Sequence, residues 1–224
     1  MSTKQSTCWL PFKHGDRILF QGDSVTDCGR DRDDPAALGY GYVMLIAAAL
    51  QARAPEMELT ILNRGIGGNR SRDLVARWSQ DCIDLAPDWV SIMIGINDTW
   101  RRSDSNDPTT AEQFESAYRT LLERVTAETS ARIVLCEPFL LDHPADRLAW
   151  RQDLNPKLAI VRGLAGEFGA MLVPLDVVFG DLRETPRPDY WAADGVHPTL
   201  AGHGLIAQTW LRTIKASGAV RETD

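Results

Sequence analysis

Four short polar segments contain residue types that hydrolytic chemistry uses, and the first is Q-G-D-S-V-T-D at positions 21–27. Its serine, Ser24, follows the apolar run 18–20, where we predict that a strand ends. A serine in such a place is commonly a helix N-cap, because its side-chain oxygen accepts a hydrogen bond from an orphan backbone N–H. The same hydroxyl becomes a nucleophile if a base and oxyanion donors lie beside it. The other three segments bear on this choice.

His197, in D-G-V-H-P, is the histidine best placed to serve as that base. It lies between the last predicted strand and the last predicted helix, where a loop would overhang the strand ends. Asp194, three residues earlier, could accept a hydrogen bond from one imidazole nitrogen and leave the other free to take the Ser24 proton. An Asp-x-x-His pair can also ligate a metal, but no third ligand with clear spacing accompanies it. His203 is interpreted as a packing or cap-proximal residue of the last helix.

The remaining two segments offer hydrogen-bond donors for an oxyanion. In G-I-G-G-N-R, at 65–70, glycines would let the backbone N–H of Gly68 point into a cleft, although a simple tight turn is an equal alternative. The segment fails as a dinucleotide fingerprint because Arg70 occupies the position of the final glycine. Asn97, in G-I-N-D, is either a turn residue or an amide donor directed at Ser24.

Short apolar runs alternate with longer amphipathic segments along the chain. We predict strands at 17–21, 59–63, 89–94, 132–136 and 170–173. We predict helices at 39–54, 71–85, 110–129, 146–168 and 199–216. Pro108 and Thr109 provide the start signal of the third helix, Pro156 could break the fourth, and Thr199 is a candidate cap of the fifth. The polar stretches 101–108 and 185–188 are interpreted as surface loops.

This alternation predicts βαβ units around a buried parallel sheet. The expected fold is a three-layer α/β/α sandwich with five strands in the flavodoxin-like order 2-1-3-4-5. Residues 1–224 would form a single domain, with 1–15 as an N-terminal extension. Ligands of such sheets bind outside the carboxyl ends of the strands. Ser24 would therefore lie between the glycine turn and Asn97, as a nucleophile lies between oxyanion donors.

Composition limits the classes of partner. The chain has 224 residues, 44% of them hydrophobic, and a net charge of −7, which disfavours nucleic acid as a ligand. The start lacks the apolar core of a signal peptide, and no apolar window is long enough to span a membrane, so we expect a cytoplasmic protein. The four cysteines are far apart and predicted to be mostly buried free thiols: Cys8, Cys28, Cys82 and Cys136.

Together the four segments resemble the blocks of the SGNH hydrolases, or GDSL-type esterases. The blocks lie at 22–24, 63–68, 95–98 and 194–197 and occur in the family order. Longer stretches are similar to the intracellular acetylxylan esterases of this family, among them G-D-S-V-T-D-C-G-R-D-R, N-R-G-I-G-G-N-R-S-R-D-L and G-I-N-D-T-W-R. The resemblance covers most of the chain and implies the SGNH hydrolase fold.

The resemblance also implies an activity and a set of roles. The expected protein is a serine esterase that releases acetate from acetylated xylo-oligosaccharides without a metal or cofactor. Its catalytic residues would be Ser24, Asp194 and His197, and its oxyanion donors the backbone N–H groups of Ser24 and Gly68 and the amide of Asn97. One departure is a glycine at position 67, where relatives often carry serine. Two adjacent glycines are therefore candidates for the donor, and we choose the second.

Substrate contacts are predicted from aromatic residues near the proposed site. Trp100 and Trp191 flank it in sequence, and Tyr40 lies before the first long helix. Aromatic faces suit the C–H faces of sugars, but each of these residues is also a candidate for the core. Asp23 is a further candidate contact, although we favour a structural role in which it holds the turn through backbone hydrogen bonds. The charged run 30–34 either rims the entrance or is a solvated loop.

Two other functions stay open. One is a short-chain carboxylesterase or thioesterase of broader specificity, which a profile of acyl-chain length would distinguish. The other is a catalytically silent carbohydrate-binding protein on the same fold, which any serine-dependent turnover would exclude. The expected partner is a small acetylated sugar or oligosaccharide, with neither nucleic acid nor membrane, and seven tryptophans are compatible with a homo-oligomer.

Overall fold

The computed structural model describes residues 11–182 and 187–219. A single five-stranded sheet lies at its centre, and every strand pair is parallel. The strands are β1 (Arg17–Gly22), β2 (Thr60–Asn63), β3 (Trp89–Met93), β4 (Arg132–Cys136) and β5 (Met171–Val173). Their order across the sheet is β2-β1-β3-β4-β5, which confirms the predicted topology.

Helices cover both faces of this sheet. They are α1 (Ser24–Asp27), α2 (Tyr42–Arg53), α3 (Ser71–Asp81), α4 (Ile96–Asp104), α5 (Ala111–Glu128), α6 (Arg151–Glu167), α7 (Leu175–Gly180) and α8 (Leu200–Ala219). Helices α2, α7 and α8 pack on one face, and α3, α5 and α6 on the other. The short helices α1 and α4 begin directly after the carboxyl ends of β1 and β3. The result is the predicted three-layer α/β/α sandwich.

The core is divided by the sheet into two apolar clusters. Successive side chains of a strand point to opposite faces, so Ile18 and Phe20 of β1 join the cluster beneath α2 and α8, while Leu19 joins the other. Both faces are covered, and β3 is therefore buried along its whole length. Trp210 of α8 is fully buried in the first cluster, and Trp78 of α3 in the second.

The short helices α1 and α7 were not predicted from the sequence, and two further helices differ from the prediction. Helix α4 occupies part of the stretch 101–108 that was predicted to be a loop. The prediction missed it because only its first four residues are buried and residues 101–104 are polar. Helix α6 continues across Pro156 instead of breaking there. Proline removes the hydrogen bond to the carbonyl four residues earlier, and here that carbonyl belongs to Gln152, an exposed residue of the first turn.

Caps fix where the later helices begin. Helix α5 starts after Thr110, whose side chain accepts from the N–H of Gln113 at 3.2 Å while the Gln113 side chain accepts from the N–H of Thr110 at 2.9 Å. This reciprocal capping box replaces the start signal predicted at Pro108 and Thr109. The predicted cap of α8 is confirmed, because Thr199 Oγ1 accepts from the N–H of Gly202 at 3.3 Å.

The N-terminal extension and the free cysteines were also predicted from the sequence. Phe12 is 6% exposed and packs edge-on against Trp89; positions 1–10 and 183–186 lie outside the described residues, so an N-terminal extension over 1–15 stays a prediction. Cys82 and Cys136 are buried free thiols and Cys28 is a half-buried one, whereas Cys8 lies outside the described residues. Within the described part of the chain, no helix is both long and apolar enough to cross a membrane.

Candidate active site

Ser24 lies at the carboxyl end of β1 as the first residue of α1. The N-cap of this helix is Asp23, whose Oδ1 accepts from the N–H of Val25 at 3.0 Å. This corrects the reading of Ser24 as a cap and agrees with the backbone-holding role predicted for Asp23. The Ser24 hydroxyl lies instead 2.9 Å from Nε2 of His197. Its position at the helix start leaves the Ser24 backbone N–H among the orphan donors of the first turn.

A tight loop after β5 carries His197 and Asp194 to Ser24. An isolated antiparallel bridge between Ala192 and Pro198 closes this loop. Asp194 Oδ2 lies 2.7 Å from His197 Nδ1, and its Oδ1 accepts from the N–H groups of His197 at 2.7 Å and Val196 at 3.0 Å. A carboxylate can only accept, so Nδ1 is the protonated nitrogen and Nε2 is left to accept from the serine.

The same contacts shift the ionisation of the loop residues. Burial alone would raise the pKa of Asp194, but the hydrogen bonds from the His197 ring and from two backbone N–H groups outweigh it and hold that pKa well below its ordinary value. The hydrogen bond to Asp194 raises the pKa of His197 above its ordinary value, against the opposing effect of burial. The pair is therefore arranged to stabilise an imidazolium beside Ser24.

Asp23 is a buried carboxyl group next to the nucleophile. It is 2% exposed, and burial raises its pKa to about 7, although the hydrogen bond from Val25 and the nearby His197 oppose that rise. The void beside it measures about 10 Å³ and is otherwise lined by apolar side chains and a proline, including Met93, Ile96 and Phe139. A void of this size holds about one water molecule at most. Asp23 is therefore enclosed in a space with room for little or no water.

The glycine turn (65–70) follows β2. This turn and the carboxyl end of β3 lie on opposite sides of Ser24. The N–H of Asn69 donates to the carbonyl of Ile66 at 3.2 Å, and Gly68 has a φ of +82°, a left-handed conformation that glycine adopts readily. The N–H of Gly67 donates to Asp27 Oδ2 at 3.0 Å, so this donor is already engaged. Of the two adjacent glycines, Gly68 is the one with a backbone N–H that has no hydrogen-bond partner among the described residues.

Asn97 lies at the start of α4 and is 3% exposed. Its amide nitrogen donates to the carbonyl of Asn69 at 3.1 Å, which ties α4 to the glycine turn. A side-chain amide has two N–H donors, so this contact uses one and leaves the other. The neighbouring Asp98 accepts from both the N–H and the hydroxyl of Ser71, at 3.0 Å and 2.7 Å. These bonds hold the end of the turn against the carboxyl end of β3.

The three predicted aromatic contacts have different surroundings. The half-buried ring of Trp100 has its centroid 5.7 Å from that of His197 and 5.2 Å from that of Trp150, so it lines the site. Trp191 packs against the core cluster under α8 and edge-on against Tyr190. Tyr40 is 73% exposed. Of the three, only Trp100 has a described ring contact with a residue of the Ser24–His197–Asp194 chain.

Arg147 is a residue of this region that sequence reasoning missed. Its Nε donates to the backbone carbonyl of Asp194 at 3.1 Å, and its guanidinium lies 4.2 Å from the ring centroid of Trp150 and 5.4 Å from that of Trp100. No motif marked it, because it lies in a 3₁₀ segment (Ala145–Trp150) remote in sequence from the loop it supports.

His203 is a buried residue of α8 that contacts the start of α2, as expected for the packing or cap-proximal residue that the sequence predicted. Its Nδ1 accepts from the N–H of Tyr42 at 3.1 Å, at the start of α2. Burial lowers the pKa of His203 to about 4, which keeps the ring neutral and able to accept. The other nitrogen lies 3.3 Å from the thiol of Cys28. Elsewhere in the described ranges, no group of three or more histidine, cysteine or acidic side chains is arranged to hold a metal ion.

Comparison with known proteins places this fold and site in one family. Residues 20–205 match the GDSL-like lipase/acylhydrolase family, and the chain belongs to that family. It is accordingly a serine carboxylic ester hydrolase. This confirms the family that the four sequence blocks resemble.

The relatives are similar over nearly their whole length. An acetylxylan esterase of Geobacillus stearothermophilus is 38% identical over 207 residues, which cover 89% of this chain and 94% of that protein. The structure of Axe2, an acetylxylan esterase from the same organism, has a TM-score of 0.80 at 37% identity and covers 91% of this chain and 96% of its own. A structure from Parabacteroides merdae, assigned to the GDSL-like lipases, has a TM-score of 0.86 at 36% identity, with 92% and 98% covered.

Proposed function

We propose that this protein is a serine carbohydrate esterase that releases acetate from acetylated xylo-oligosaccharides through an acetyl-enzyme intermediate. The observation that carries the proposal is the hydrogen-bonded chain of Ser24, His197 and Asp194, with distances of 2.9 Å and 2.7 Å. Among the relatives, structures of Axe2 described as catalytic mutants replace a serine, a histidine and an aspartate by alanine. These are the three residue types that form the chain here.

In the first half-reaction, Ser24 Oγ attacks the acetyl carbonyl carbon while His197 Nε2 takes the hydroxyl proton. Asp194 stabilises the resulting imidazolium and holds the ring in the required tautomer. Negative charge develops on the carbonyl oxygen, where the backbone N–H groups of Ser24 and Gly68 and the free N–H of the Asn97 amide donate to it. The tetrahedral intermediate then collapses: the bond to the sugar oxygen breaks, and His197 gives its proton to that oxygen.

In the second half-reaction, water attacks the acetyl group on Ser24. His197 removes a proton from this water, the same donors stabilise the second oxyanion, and His197 returns a proton to Ser24 Oγ as acetate leaves. Each group therefore acts twice, and no other side chain is needed for proton transfer. Asp23 assists only by holding the first turn of α1.

Several features support a small acyl group on a carbohydrate. The named relative acts as an acetylxylan esterase, and Axe2 is an acetyl-xylooligosaccharide esterase. Trp100 presents a half-buried aromatic ring beside His197, where the C–H face of a sugar could stack. Trp191 and Tyr40 stay weaker proposals for substrate contact.

Location and partners form part of the same proposal. We infer a cytoplasmic enzyme of one domain that acts on short, soluble acetylated oligosaccharides. Its acidic net charge of −7 disfavours nucleic acid as a partner. A homo-oligomer stays a proposal without support from the tryptophans, because the six of the seven that the structure describes are buried or half-buried.

The experiment compares acetate release from acetylated xylo-oligosaccharides with hydrolysis of butyryl and octanoyl esters and of acetyl thioesters. We expect the highest kcat/KM for the acetylated oligosaccharide and a burst of alcohol release from an activated acetate ester. Ser24→Ala should lower kcat by about 10⁶-fold, because the nucleophile is lost. The Ser217→Ala variant, at a half-buried position near the end of α8, is the matched control and should retain full activity.

Each other outcome identifies an alternative. Equal activity on acetyl and butyryl esters, or higher activity on thioesters, would replace this substrate class by a broad carboxylesterase or thioesterase. Sugar binding without any Ser24-dependent turnover would indicate a catalytically silent carbohydrate-binding protein. Turnover that survives in Ser24→Ala would contradict the proposed nucleophile.

A further inference from the structure

One ion pair beside the nucleophile has no role in the steps above. Asp27, the last residue of α1, is 6% exposed. Its Oδ2 accepts both from the guanidinium of Arg32, at 2.5 Å, and from the backbone N–H of Gly67, at 3.0 Å. Arg32 is half-exposed, with 53% of its side chain accessible. A buried carboxylate oxygen is thus shared between an arginine and the turn that holds the proposed oxyanion donor.

This turn has an intrinsic conformational freedom. The hydrogen bond from Asn69 to Ile66 and the positive φ of Gly68 define a type II β-turn with Gly67 and Gly68 at its centre. The peptide between these two glycines carries the Gly68 N–H. Because glycine adopts positive and negative φ with similar ease, this peptide can rotate between turn types at little cost. Rotation would reorient the Gly68 N–H, the proposed oxyanion donor.

Hydrogen bonds to neighbouring elements hold the peptides that flank this central one. Before it, the Gly67 N–H donates to Asp27, and after it, the Asn69 N–H donates to the Ile66 carbonyl at 3.2 Å. One peptide further on, the Asn69 carbonyl accepts from the Asn97 amide at 3.1 Å. The anchor on the Asp27 side is rigid, because the turn lies directly on α1. A Cβ atom at Gly65 would come within 2.3 Å of the Asp27 backbone nitrogen.

The pair also lies close to the reacting atoms. A Cβ atom built at Gly67 would be 3.8 Å from a terminal nitrogen of Arg32, from Asp27 Oδ2 and from the Cβ of Ser24. Arg32, Asp27 and the nucleophile thus surround one point at the edge of the site. A displaced Asp27 carboxylate would therefore move Gly67, and Gly67 directly precedes Gly68, which carries the proposed oxyanion donor.

We propose that Asp27, oriented by Arg32, is a positioning residue that holds the Gly67–Gly68 turn in the conformation where the Gly68 N–H faces the oxyanion. This inference rests on the proposed function, since it assigns Asp27 to the oxyanion hole of that reaction. Arg32 keeps Oδ2 aligned with the Gly67 N–H, and α1 keeps the carboxylate at a fixed distance from Ser24. Neither side chain touches the substrate or transfers a proton.

The test begins with Asp27→Ala, assayed on an activated acetate ester. Complete loss of an oxyanion donor costs about 10²–10³ in rate; a donor that is loosened should cost about 10–100-fold in both kcat and kcat/KM, with KM within about twofold. Asp27→Asn keeps an acceptor oxygen and should lose about tenfold or less. Asp33→Ala, an exposed carboxylate of the same loop, controls for the loss of charge and should match the parent enzyme.

A second readout is the affinity for a boronic acid, which Ser24 converts to a tetrahedral anion seated in the oxyanion hole. Its Kd should rise in Asp27→Ala by the same factor as kcat falls, while the Kd of unacetylated xylotriose stays unchanged. If Asp27→Ala fails to fold, Arg32→Gln is the deciding variant, and its kcat should fall by about three- to tenfold with an unchanged Tm.

The inference is overturned if kcat is unchanged in Asp27→Ala, or in Arg32→Gln where that variant decides, or if KM alone rises. It is also overturned if boronate affinity does not follow kcat. Failure of the proposed function has a different signature, namely turnover that survives in Ser24→Ala or an absence of acetyl-ester hydrolysis in the parent enzyme.

Discussion

At the scale of residues, the helix cap and the proposed nucleophile are two different residues, Asp23 and Ser24. From the sequence alone, Ser24 could have taken either role. Asp23 accepts the N–H of Val25 and so caps α1, which leaves the Ser24 hydroxyl available for His197. A carboxylate is the better acceptor at a helix start, where the helix dipole favours negative charge. The cost is the burial of Asp23, which raises its pKa to about 7.

The ionisation of His197 sets a prediction for pH dependence. The imidazole must be neutral to act as a base, so activity is lost as the pH falls through its pKa. The hydrogen bond that His197 donates to Asp194 raises that pKa above its ordinary value of 6.5, so the acidic limb of the kcat/KM profile should lie above pH 6.5. In Asp194→Asn the limb should move to lower pH, and kcat should fall by about 10⁴-fold as the wrong tautomer is stabilised.

This prediction is measured with an activated acetate ester between about pH 4 and pH 9, a range that brackets the ordinary histidine pKa. Asp189→Asn is the control, since Asp189 pairs with Arg187 on the surface, and its profile should overlay that of the parent. A limb that stays in place, or moves upward, in Asp194→Asn would contradict the role assigned to this carboxylate.

At the scale of elements, the 192–198 loop depends on one backbone position. Gly195 has a φ of +82°, and a Cβ atom there would lie 2.1 Å from the carbonyl oxygen of His143. The Gly195 carbonyl also accepts from the N–H of Leu141 at 2.9 Å. The loop that carries Asp194 and His197 is therefore packed directly on the chain that follows β4.

Gly195→Ala should consequently displace both catalytic residues of the loop. Left-handed backbone strain contributes about 1–3 kcal/mol, and the clash with His143 adds to it, so we expect a lower Tm and at least a hundredfold loss of kcat/KM. The matched substitution is Gly163→Ala in α6, where a Cβ atom meets nothing within 4 Å. It should stabilise the protein by up to about 1 kcal/mol with normal activity. Equal effects of the two variants would refute this role of Gly195.

At the scale of the whole molecule, the sheet order gathers segments that are far apart in the chain. Strands β2, β1 and β3 are adjacent, so the glycine turn, Ser24 and Asn97 meet at one edge. Both faces of the sheet are covered by helices, which keeps this edge rigid. We therefore expect that a substitution in the core lowers the stability of the fold without lowering the activity of the folded enzyme.

Trp210 tests that separation. It is fully buried against Phe20, with ring centroids 5.4 Å apart, and its indole N–H donates to Ser91 Oγ at 3.1 Å. Trp210→Ala should destabilise the fold by about 3–5 kcal/mol, measured by denaturant unfolding, while kcat/KM of the folded enzyme stays within about twofold because the site does not contact this side chain. Val177→Ala, an apolar residue that is 51% exposed, should cost less than about 0.5 kcal/mol. A proportional loss of activity in Trp210→Ala would show that the core and the site are coupled.

Local pattern alone determined much of this protein. Apolar runs and amphipathic segments defined the five strands and the main helices, because burial on both faces of a parallel sheet requires continuous apolar strands. The four polar blocks indicated the family and singled out Ser24, His197 and Asp194 as a set. Short helices such as α1 and α4 were beyond this reasoning, since their ends depend on contacts rather than on periodicity.

The tertiary structure decided which group performs which task. That Asp23 rather than Ser24 caps α1, that the Gly67 N–H is already engaged, and that Arg147 supports Asp194 all depend on distances between segments remote in sequence. A hydrogen bond has a narrow range of distance and angle, which residue type and spacing do not specify. Sequence thus determined which residues could react, and the packing of helices and loops on the sheet determined their partners.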